Sequence, residues 1–300
     1  MSPSLISKRF QQALNAIESR NWNQISYLIN ANPWLMEMKD VRNDQSLVYS
    51  LSLFCGGPHG DVNDGSLTTT QMLPKQLVQN IIDYEPNVVY KLDIGGNLPL
   101  HMAAVSGNII MIEELGGLFS SGASVKNCSG LLPLHLAIMS CNLFPTGSQS
   151  VGLILALFPA AVMVKDSDGN TPLHIAAEAL SGDLGADVIN QLVEGWYAFM
   201  LSNNTMSDEN SSSAGNNTPY VESASIQIGT ETPEYMMRDN DPVSHEFYLL
   251  KNNKEETPLV KAIVSLAGEK VVKALLNGRG GHLAALDTNQ ASQNALHLAC

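Results

Sequence analysis

One heptapeptide decides the fold of this chain: Thr171-Pro172-Leu173-His174-Ile175-Ala176-Ala177. Thr is a preferred residue just before a helix, and Pro fits the first helical position because its missing N–H would have no partner there. The two small Ala side chains allow a neighbouring helix to approach closely. The heptapeptide therefore predicts the start of a helix that packs against another helix.

The Leu-His pair of this stretch recurs along the chain. Four copies are present: Leu100-His101, Leu134-His135, Leu173-His174 and Leu296-His297. The first three histidines are separated by 34 and 39 residues, which is in the range of stacked helical repeats. A break of small or polar residues, such as Ser106-Gly107-Asn108, then precedes a second apolar helix. The sequence thus predicts repeated helix-turn-helix units.

A second register links the predicted repeats. Three prolines are each followed by Asp seven positions later and by a helix start thirteen positions later. The register consists of Pro33, Asp40 and Ser46; Pro86, Asp93 and Pro99; and Pro159, Asp166 and Pro172. It predicts a degenerate helix start at Gln45-Ser46-Leu47-Val48 and hairpin tips with positive φ at Gly95-Gly96 and Asp168-Gly169. Aligned in the same way, Thr257-Pro258-Leu259-Val260 is another helix start, in which Val replaces His and Glu255 replaces the turn glycine.

These motifs resemble the Thr-Pro-Leu-His-x-Ala signature of the ankyrin repeat family. The resemblance spans most of residues 1–300, with strong motifs at three helix starts and degenerate motifs elsewhere. It implies an all-α fold, namely an ankyrin-repeat solenoid of stacked helix-turn-helix units with hairpin-like loops and one long disordered insertion.

The chain is predicted to form a single array over residues 1–300. Its predicted parts are an N-terminal capping repeat (1–45), repeats (46–201) with a loop insertion (55–71), an acidic low-complexity insertion (202–246), and degenerate, truncated C-terminal repeats (247–300). The 202–246 insertion is rich in Ser, Asn, Thr and Glu and has few large apolar residues to bury. Because Cys300 falls early in a repeat's first helix, we expect the native protein to continue beyond it.

The composition favours a folded protein that binds neither nucleic acid nor a membrane. Apolar residues make up 44% of the chain, which allows a sizeable core, and the formal net charge is -13. Its 16 Lys and Arg residues are scattered, whereas an anionic partner of either kind needs clustered positive charge. The chain begins without a long apolar segment, and its 4 Cys form no disulfide pattern. We therefore expect a cytoplasmic protein, with the nucleus as the alternative location.

No catalytic, cofactor-binding or metal-binding residues are predicted, so the chain is not expected to be an enzyme. His101, His135 and His174 occupy equivalent positions a repeat apart, too far for shared ligation of a metal at about 2 Å. They are interpreted as hydrogen-bonding partners of nearby turn groups. Two Asp-rich stretches, Asp61 to Gly65 and Asp166 to Asn170, lack the spacing of a calcium loop. Weak calcium binding by the first stretch remains open.

The preferred hypothesis is a scaffold or adaptor that binds a partner protein on the concave face of the array, where the family exposes its hairpin tips and first helices. The candidate contact residues at the tips are Asp93, Gly95, Asn97, Asn127, Ser129, Asp166, Asp168 and Asn170. We expect replacement of the three Asp residues to weaken binding with little change in the melting temperature. The alternative is a regulatory or targeting region of a larger protein, whose enzyme, channel or other effector part lies beyond residue 300. No small-molecule substrate is expected.

Overall fold

A computed structural model describes residues 3–40, 45–53, 73–205, 247–278, 281–289, 291 and 293–299. Its helices are α1 (Pro3–Glu18), α2 (Trp22–Ala31), α3 (Leu47–Leu53), α4 (Lys75–Tyr84), α5 (Pro99–Ser106), α6 (Ile109–Leu118), α7 (Pro133–Ser140), α8 (Gly147–Leu157), α9 (Pro172–Ala179), α10 (Gly182–Thr205), α11 (Pro258–Val264), α12 (Glu269–Asn277), α13 (Gly281–Ala284) and α14 (Ala295–Ala299). Within these residues no β-sheet forms, and two isolated bridges pair Lys39 with Ser46 and Thr288 with Asn294. The predicted all-α repeat fold is confirmed.

The predicted helix starts are confirmed. Four first helices begin at a proline: α5 at Pro99, α7 at Pro133, α9 at Pro172 and α11 at Pro258. Proline is tolerated there because the first N–H groups of a helix have no partner inside it. At the next break, Gly107 ends α5 with φ 63°, and Asn108 caps α6 by accepting a hydrogen bond from Met111 N at 3.2 Å. Helix, turn and helix thus follow in the predicted order.

The proline register coincides with short 3-10 turns that follow the second helices. These turns span Pro33–Met36, Pro86–Tyr90, Ser120–Ser124 and Pro159–Met163, so one of them forms without a proline. Each turn buries two adjacent residues: Leu35-Met36, Val88-Val89, Gly122-Ala123 and Ala161-Val162. The degenerate helix start is confirmed as α3, which begins at Leu47 directly after the buried Ser46. The register therefore marks where each loop is anchored in the core.

One apolar core runs through the array. The first helices pack in the series α3, α5, α7, α9 and α11, and the second helices pack in the series α4, α6, α8 and α10. Small residues at the first-helix contacts, such as Ala103, Ala137 and Ala176, are fully buried. Among the second helices, a Cβ added at Gly195 would lie 2.5 Å from Leu155 Cδ2. Small side chains therefore set how closely neighbouring repeats approach.

Helix α10 is longer than the second helices before it. It has 24 residues, whereas α6 has 10 and α8 has 11. Its residue Trp196 stacks on Phe247, with ring centroids 5.3 Å apart and an interplanar angle of 9°. Phe247 and Tyr248 form a buried pair. They stand at the same distance before Asn252 as the buried pair Ala161-Val162 stands before Asp166. Phe247 and Tyr248 therefore pack into the core as part of an aromatic cluster.

Helix α10 continues to Thr205, four residues past the predicted start of the acidic insertion at residue 202, and the bounds of that insertion stay a prediction. The low helix propensity of Ser and Asn is a weak effect, and extending an existing helix is far easier than starting one. Residues 206–246, the loop insertion at 55–71 and Cys300 lie outside the described residues. None of the described helices combines the length and the apolar character needed to span a bilayer.

Candidate functional site

His101, His135 and His174 each connect two repeats. The ring Nδ1 accepts a hydrogen bond from the backbone N–H three residues earlier, and the ring Nε2 donates to a backbone carbonyl of the next repeat. The Nδ1 partners are Leu98 N (3.1 Å), Leu132 N (2.9 Å) and Thr171 N (3.2 Å). The Nε2 partners are Leu131 O (3.3 Å), Val164 O (3.0 Å) and Glu256 O (2.9 Å). The predicted hydrogen-bonding role of the histidines is confirmed.

Burial keeps these three histidines neutral. Removal from water disfavours the imidazolium form and lowers the pKa of each ring from 6.5 to about 4. The neutral tautomer with its hydrogen on Nε2 satisfies both bonds, since Nδ1 accepts and Nε2 donates. Both nitrogens of each ring are therefore engaged in backbone hydrogen bonds and are not available to ligate a metal ion.

The first hairpin tip is built on Asp93. Its Oδ1 accepts a hydrogen bond from Asn97 N at 2.8 Å, while Asp93 N donates to Asn97 O at 3.0 Å. Gly96 lies between them with φ 72°, and its N–H donates to Asp93 O at 3.0 Å. Asp commonly closes turns in this way, and glycine enters the left-handed region without strain. The predicted positive φ at this tip is confirmed.

The same turn recurs in four later tips, the last of which begins at Asn289, whose Oδ1 accepts from Ala291 N and Gln293 N at 3.0 Å each. In the other three, the first residue likewise accepts two backbone hydrogen bonds: Asn127 Oδ1 from Ser129 and Leu131 (3.0 and 2.9 Å), Asp166 Oδ1 from Asp168 and Asn170 (2.9 and 2.8 Å), and Asn252 Oδ1 from Lys254 and Glu256 (2.9 and 3.0 Å). Gly130 and Gly169 have positive φ, and Glu255 adopts φ 56° where the three preceding tips have glycine. The Asp166 turn is thus a hairpin tip, as predicted, and its carboxylate is engaged by backbone N–H groups.

Neighbouring tips are hydrogen-bonded to one another. The backbone bonds run from Cys128 N to Gly95 O (3.0 Å) and from Asn253 N to Asp168 O (3.0 Å), and Ser167 Oγ donates to Ser129 O (2.9 Å). Two side-chain amides add to them: Asn127 Nδ2 donates to Asn97 Oδ1 (2.9 Å) and Asn252 Nδ2 donates to Asn170 Oδ1 (3.0 Å). These bonds join the tips 93–97, 127–131, 166–170 and 252–256 into one continuous edge, which we call the tip edge.

All eight predicted contact residues lie on the tip edge, but they have different roles. Five side chains are engaged by the turns: those of Asp93, Asn97, Asn127, Asp166 and Asn170. Gly95 contributes its carbonyl to the next tip. Only Ser129 and Asp168 combine an exposed side chain with no role for it in closing a turn. The binding role of all eight stays a prediction.

Sequence reasoning missed three lysines beside the tip edge. Each lysine precedes the first residue of a turn, and its Nζ donates to a backbone carbonyl of the following repeat. The bonds are Lys126 Nζ to Lys165 O (2.7 Å), Lys165 Nζ to Lys251 O (2.6 Å) and Lys251 Nζ to Thr288 O (2.9 Å). We call these three residues the lysine row. The signal was present in the sequence, because Lys stands directly before Asn127, Asp166 and Asn252.

The remaining reactive side chains are dispersed. Among the described residues, no group of three or more His, Cys, Asp and Glu side chains is arranged to hold a metal ion. Cys141 is buried, which raises the pKa of its thiol to about 11, and Cys128 is exposed at the second tip. The possible calcium stretch from Asp61 to Gly65 lies outside the described residues.

Comparison with known proteins finds similarity to one family over part of the chain. The ankyrin repeat model matches residues 168–203, which contain α9 and nearly all of α10. B-cell lymphoma 3 protein of Homo sapiens is 34% identical over 91 residues, which cover 29% of this chain and 19% of that protein. B-cell lymphoma 3 protein homolog of Mus musculus is 30% identical over 131 residues, which cover 38% of this chain and 28% of that protein. The matches thus span less than a third of the length of these relatives.

Proposed function

Because this chain belongs to the ankyrin repeat family, whose repeats are protein–protein interaction modules, we propose that it is a scaffold or adaptor that binds a partner protein. The partner contacts the concave face, to which the tip edge and the first helices contribute. The protein has no catalytic activity of its own, takes no cofactor, small-molecule substrate or nucleic acid, and acts in the cytoplasm, with the nucleus as the alternative.

The continuity of the tip edge is the observation that supports this proposal most. Hydrogen bonds between the tips hold four turns in a fixed relation, and the first helices behind them pack in series. A surface that is ordered before binding loses little conformational entropy when a partner arrives. Ser129 and Asp168 offer exposed side chains at two of these tips, while their carbonyls help to join the edge.

The groups that most resemble catalytic residues support a non-catalytic role. A general base needs a pKa near the working pH and a free nitrogen or oxygen, whereas the buried histidines have pKa values of about 4 and two engaged nitrogens each. A cysteine nucleophile needs a thiolate, whereas burial raises the pKa of Cys141 to about 11.

Photocrosslinking from defined positions tests which face meets the partner. A photoreactive phenylalanine analogue replaces Ser129 or Asp168 on the tip edge. As the matched control it replaces Gly117 on α6, where a side chain has open space around it. We expect discrete adducts in cell extracts, identified by mass spectrometry, from the two tip positions and none from position 117. Equal adducts at all three positions, or an adduct at 117 alone, would contradict the proposed face.

The alternative, a regulatory or targeting region of a larger protein, stays a prediction. It shares the binding face with the preferred hypothesis and differs only in what lies beyond residue 300. Sequencing the complete reading frame distinguishes the two, since an enzyme, channel or other effector domain after Cys300 would favour the alternative.

A further inference from the structure

The tip edge changes its chemical character along the array. At the first tip, Leu92 and Ile94 flank Asp93, and they are 47% and 69% exposed. At the equivalent places of the later tips, the flanking residues are Lys126 and Cys128, Lys165 and Ser167, and Lys251 and Asn253. An apolar stretch is therefore followed by a stretch that is cationic and polar.

The apolar stretch and the lysine row are contiguous. Cys128 N donates to Gly95 O at 3.0 Å, which fixes the second tip against the first, one residue away from Ile94. Leu92 and Lys126 each stand directly before the first residue of their turns. A chain that lies along the tip edge would therefore contact Leu92 and Ile94 first and the lysine row next.

The lysines are held in place before anything binds. An ammonium group has three N–H donors, and the carbonyl bonds of Lys126 and Lys165 each use one of them. Much of the rotamer entropy of these long side chains is thus already lost in the free protein, so an incoming anion binds them at a smaller entropic cost. The remaining N–H groups of both exposed lysines are left for other acceptors.

Two of the three lysines carry a charge that the array does not neutralise by a direct ion pair. Within the described residues, no carboxylate forms a salt bridge with Lys126 or Lys165, whereas Lys251 Nζ lies 3.0 Å from Asp287. The nearest carboxylate in sequence, that of Asp166, accepts hydrogen bonds from the backbone of its own turn. Asp168 is the exposed anion of the same tip. The lysine row thus offers two fixed cations to an outside anion.

The acidic charge of the surrounding array restricts where an acidic chain can bind to the lysine row. Residues 1–205 contain seventeen Asp and Glu residues against nine Lys and Arg residues. An acidic chain is therefore repelled by most of the array and attracted along the lysine row. Local attraction combined with repulsion elsewhere fixes the register of a bound chain.

We propose that the tip edge binds an extended segment of a partner protein that carries both large apolar and acidic side chains. The apolar side chains contact Leu92 and Ile94, and the Asp or Glu carboxylates contact Lys126 and Lys165. The bound segment occupies the face named in the proposed function, on which this proposal rests. Ion pairs with the lysine row supply register and attraction, and burial of Leu92 and Ile94 supplies a larger share of the affinity.

Selection of short random peptides displayed on phage against the full-length chain tests this chemistry. We expect the selected peptides to combine Asp or Glu with large apolar residues, and their synthetic copies to bind more weakly as salt is added. Lys126→Gln and Lys165→Gln should each weaken binding about 3-fold, and the double substitution should weaken it about 10-fold. Ile94→Ser should weaken binding about 5-fold, because apolar contact area is lost.

Matched variants separate the loss of binding from a loss of structure. Lys126→Arg keeps the charge and the donor and should retain binding. Lys273→Gln removes a lysine that is 65% exposed on α12 and pairs with Glu269, and Leu286→Ser changes an apolar residue that is 72% exposed. Neither control should alter peptide affinity. Melting temperatures of all variants are measured in parallel, so that weaker binding is read only from variants that melt like the wild-type chain.

The outcomes distinguish this proposal from the proposed function. Selected peptides without acidic residues, or affinities that survive the double lysine substitution, would overturn the acidic segment. If peptides without acidic residues still crosslink from position 168, the proposed binding face is retained. If they crosslink only from position 117, the proposed face itself is contradicted. The other candidate occupant of the lysine row is the chain's own acidic stretch 206–246. A variant in which its eight Asp and Glu residues become Asn and Gln tests this occupant. If acidic peptides are selected by that variant but not by the wild-type chain, the chain's own acidic residues occupy the lysine row. The proposal of an external partner segment would then be overturned.

Discussion

The three repeats that begin at Pro99, Pro133 and Pro172 differ from the repeat that begins at Pro258 in how the first helix is connected to its neighbours. In the first group a buried histidine joins its own helix start to a carbonyl of the next repeat. In the Pro258 repeat Val260 takes the place of the histidine, and its apolar side chain makes no such hydrogen bonds. The helix start is capped instead by Thr257, whose Oγ1 accepts from Val260 N at 3.4 Å.

The tip forms in both kinds of repeat, which shows what it requires. Asn252 closes its turn with the same two hydrogen bonds that Asp166 makes, even though this tip has Glu255 in place of glycine. The turn therefore depends on the Asp or Asn at its start, whereas the histidine adds a connection between repeats. We expect the histidine repeats to contribute most of the pH dependence of the free energy of unfolding and the Pro258 repeat to be less stable than they are.

The largest effect should come from acidification. The folded chain holds the pKa of the three buried histidines at about 4, against 6.5 when they are exposed, so between these values the unfolded chain binds more protons. The stabilising contribution is complete above pH 6.5 and is lost as the pH falls toward 4. At pH 5 the loss should be about 2 kcal/mol per histidine. Urea unfolding at a series of pH values measures it.

A triple His→Gln variant is the control for this pH dependence. Its free energy of unfolding should be lower at pH 7 and should fall less steeply between pH 6.5 and 4 than that of the wild-type chain. An equally steep fall in the variant would show that other groups, and not the three histidines, cause the acid sensitivity.

The second effect compares equivalent positions of the two kinds of repeat. His174→Ala should lower the free energy of unfolding by about 3 kcal/mol, because it opens a cavity and leaves Thr171 N and Glu256 O without their partner. Val260→Ala should cost about 2 kcal/mol, because it removes apolar contacts alone. Urea unfolding at pH 7 measures both. A smaller loss for His174→Ala than for Val260→Ala would break the distinction between the two kinds of repeat.

The third effect concerns the two aspartates of one tip. Asp166→Ala should cost about 2 kcal/mol, because its carboxylate accepts backbone hydrogen bonds from Asp168 and Asn170. Asp168→Ala should change the melting temperature little, since its side chain is exposed. Because the turns engage the other tip aspartates, only Asp168 is expected to be replaceable without loss of stability. Thermal unfolding of the two single variants checks this, and equal melting temperatures would contradict it.

The smallest effect should be a gain in stability. Glu255 has φ 56° in the tip at 252–256, whereas Gly96, Gly130 and Gly169 occupy this position in the three preceding tips. Glu255→Gly should stabilise the chain by about 0.5 to 1 kcal/mol, because relief of the left-handed strain exceeds the added entropy of the unfolded chain. Urea unfolding against Lys254→Gly, which changes the exposed neighbour, measures the difference. A loss of stability in Glu255→Gly would mean that its side chain has a role of its own.

Much of the fold could be predicted from neighbouring residues. Helix starts at proline, turn glycines and the degenerate start at Ser46 follow from preferences that act over a few positions. The end of α10 could not be predicted in this way, because its last residues are weak helix formers that follow a packed aromatic face. Of the candidate site, the sequence predicted which residues form the tips, but not which side chains the turns engage.

The sequence by itself determined the repeat, the places where its helices begin and the residues that close its turns, because proline, glycine and Asp or Asn act on the adjacent backbone. The stacking of the repeats decided the rest. It brings His174 to a carbonyl 82 residues later, aligns the lysine row, and leaves Ser129 and Asp168 exposed among engaged neighbours. These features depend on distances between residues of different repeats, which only the packed core sets.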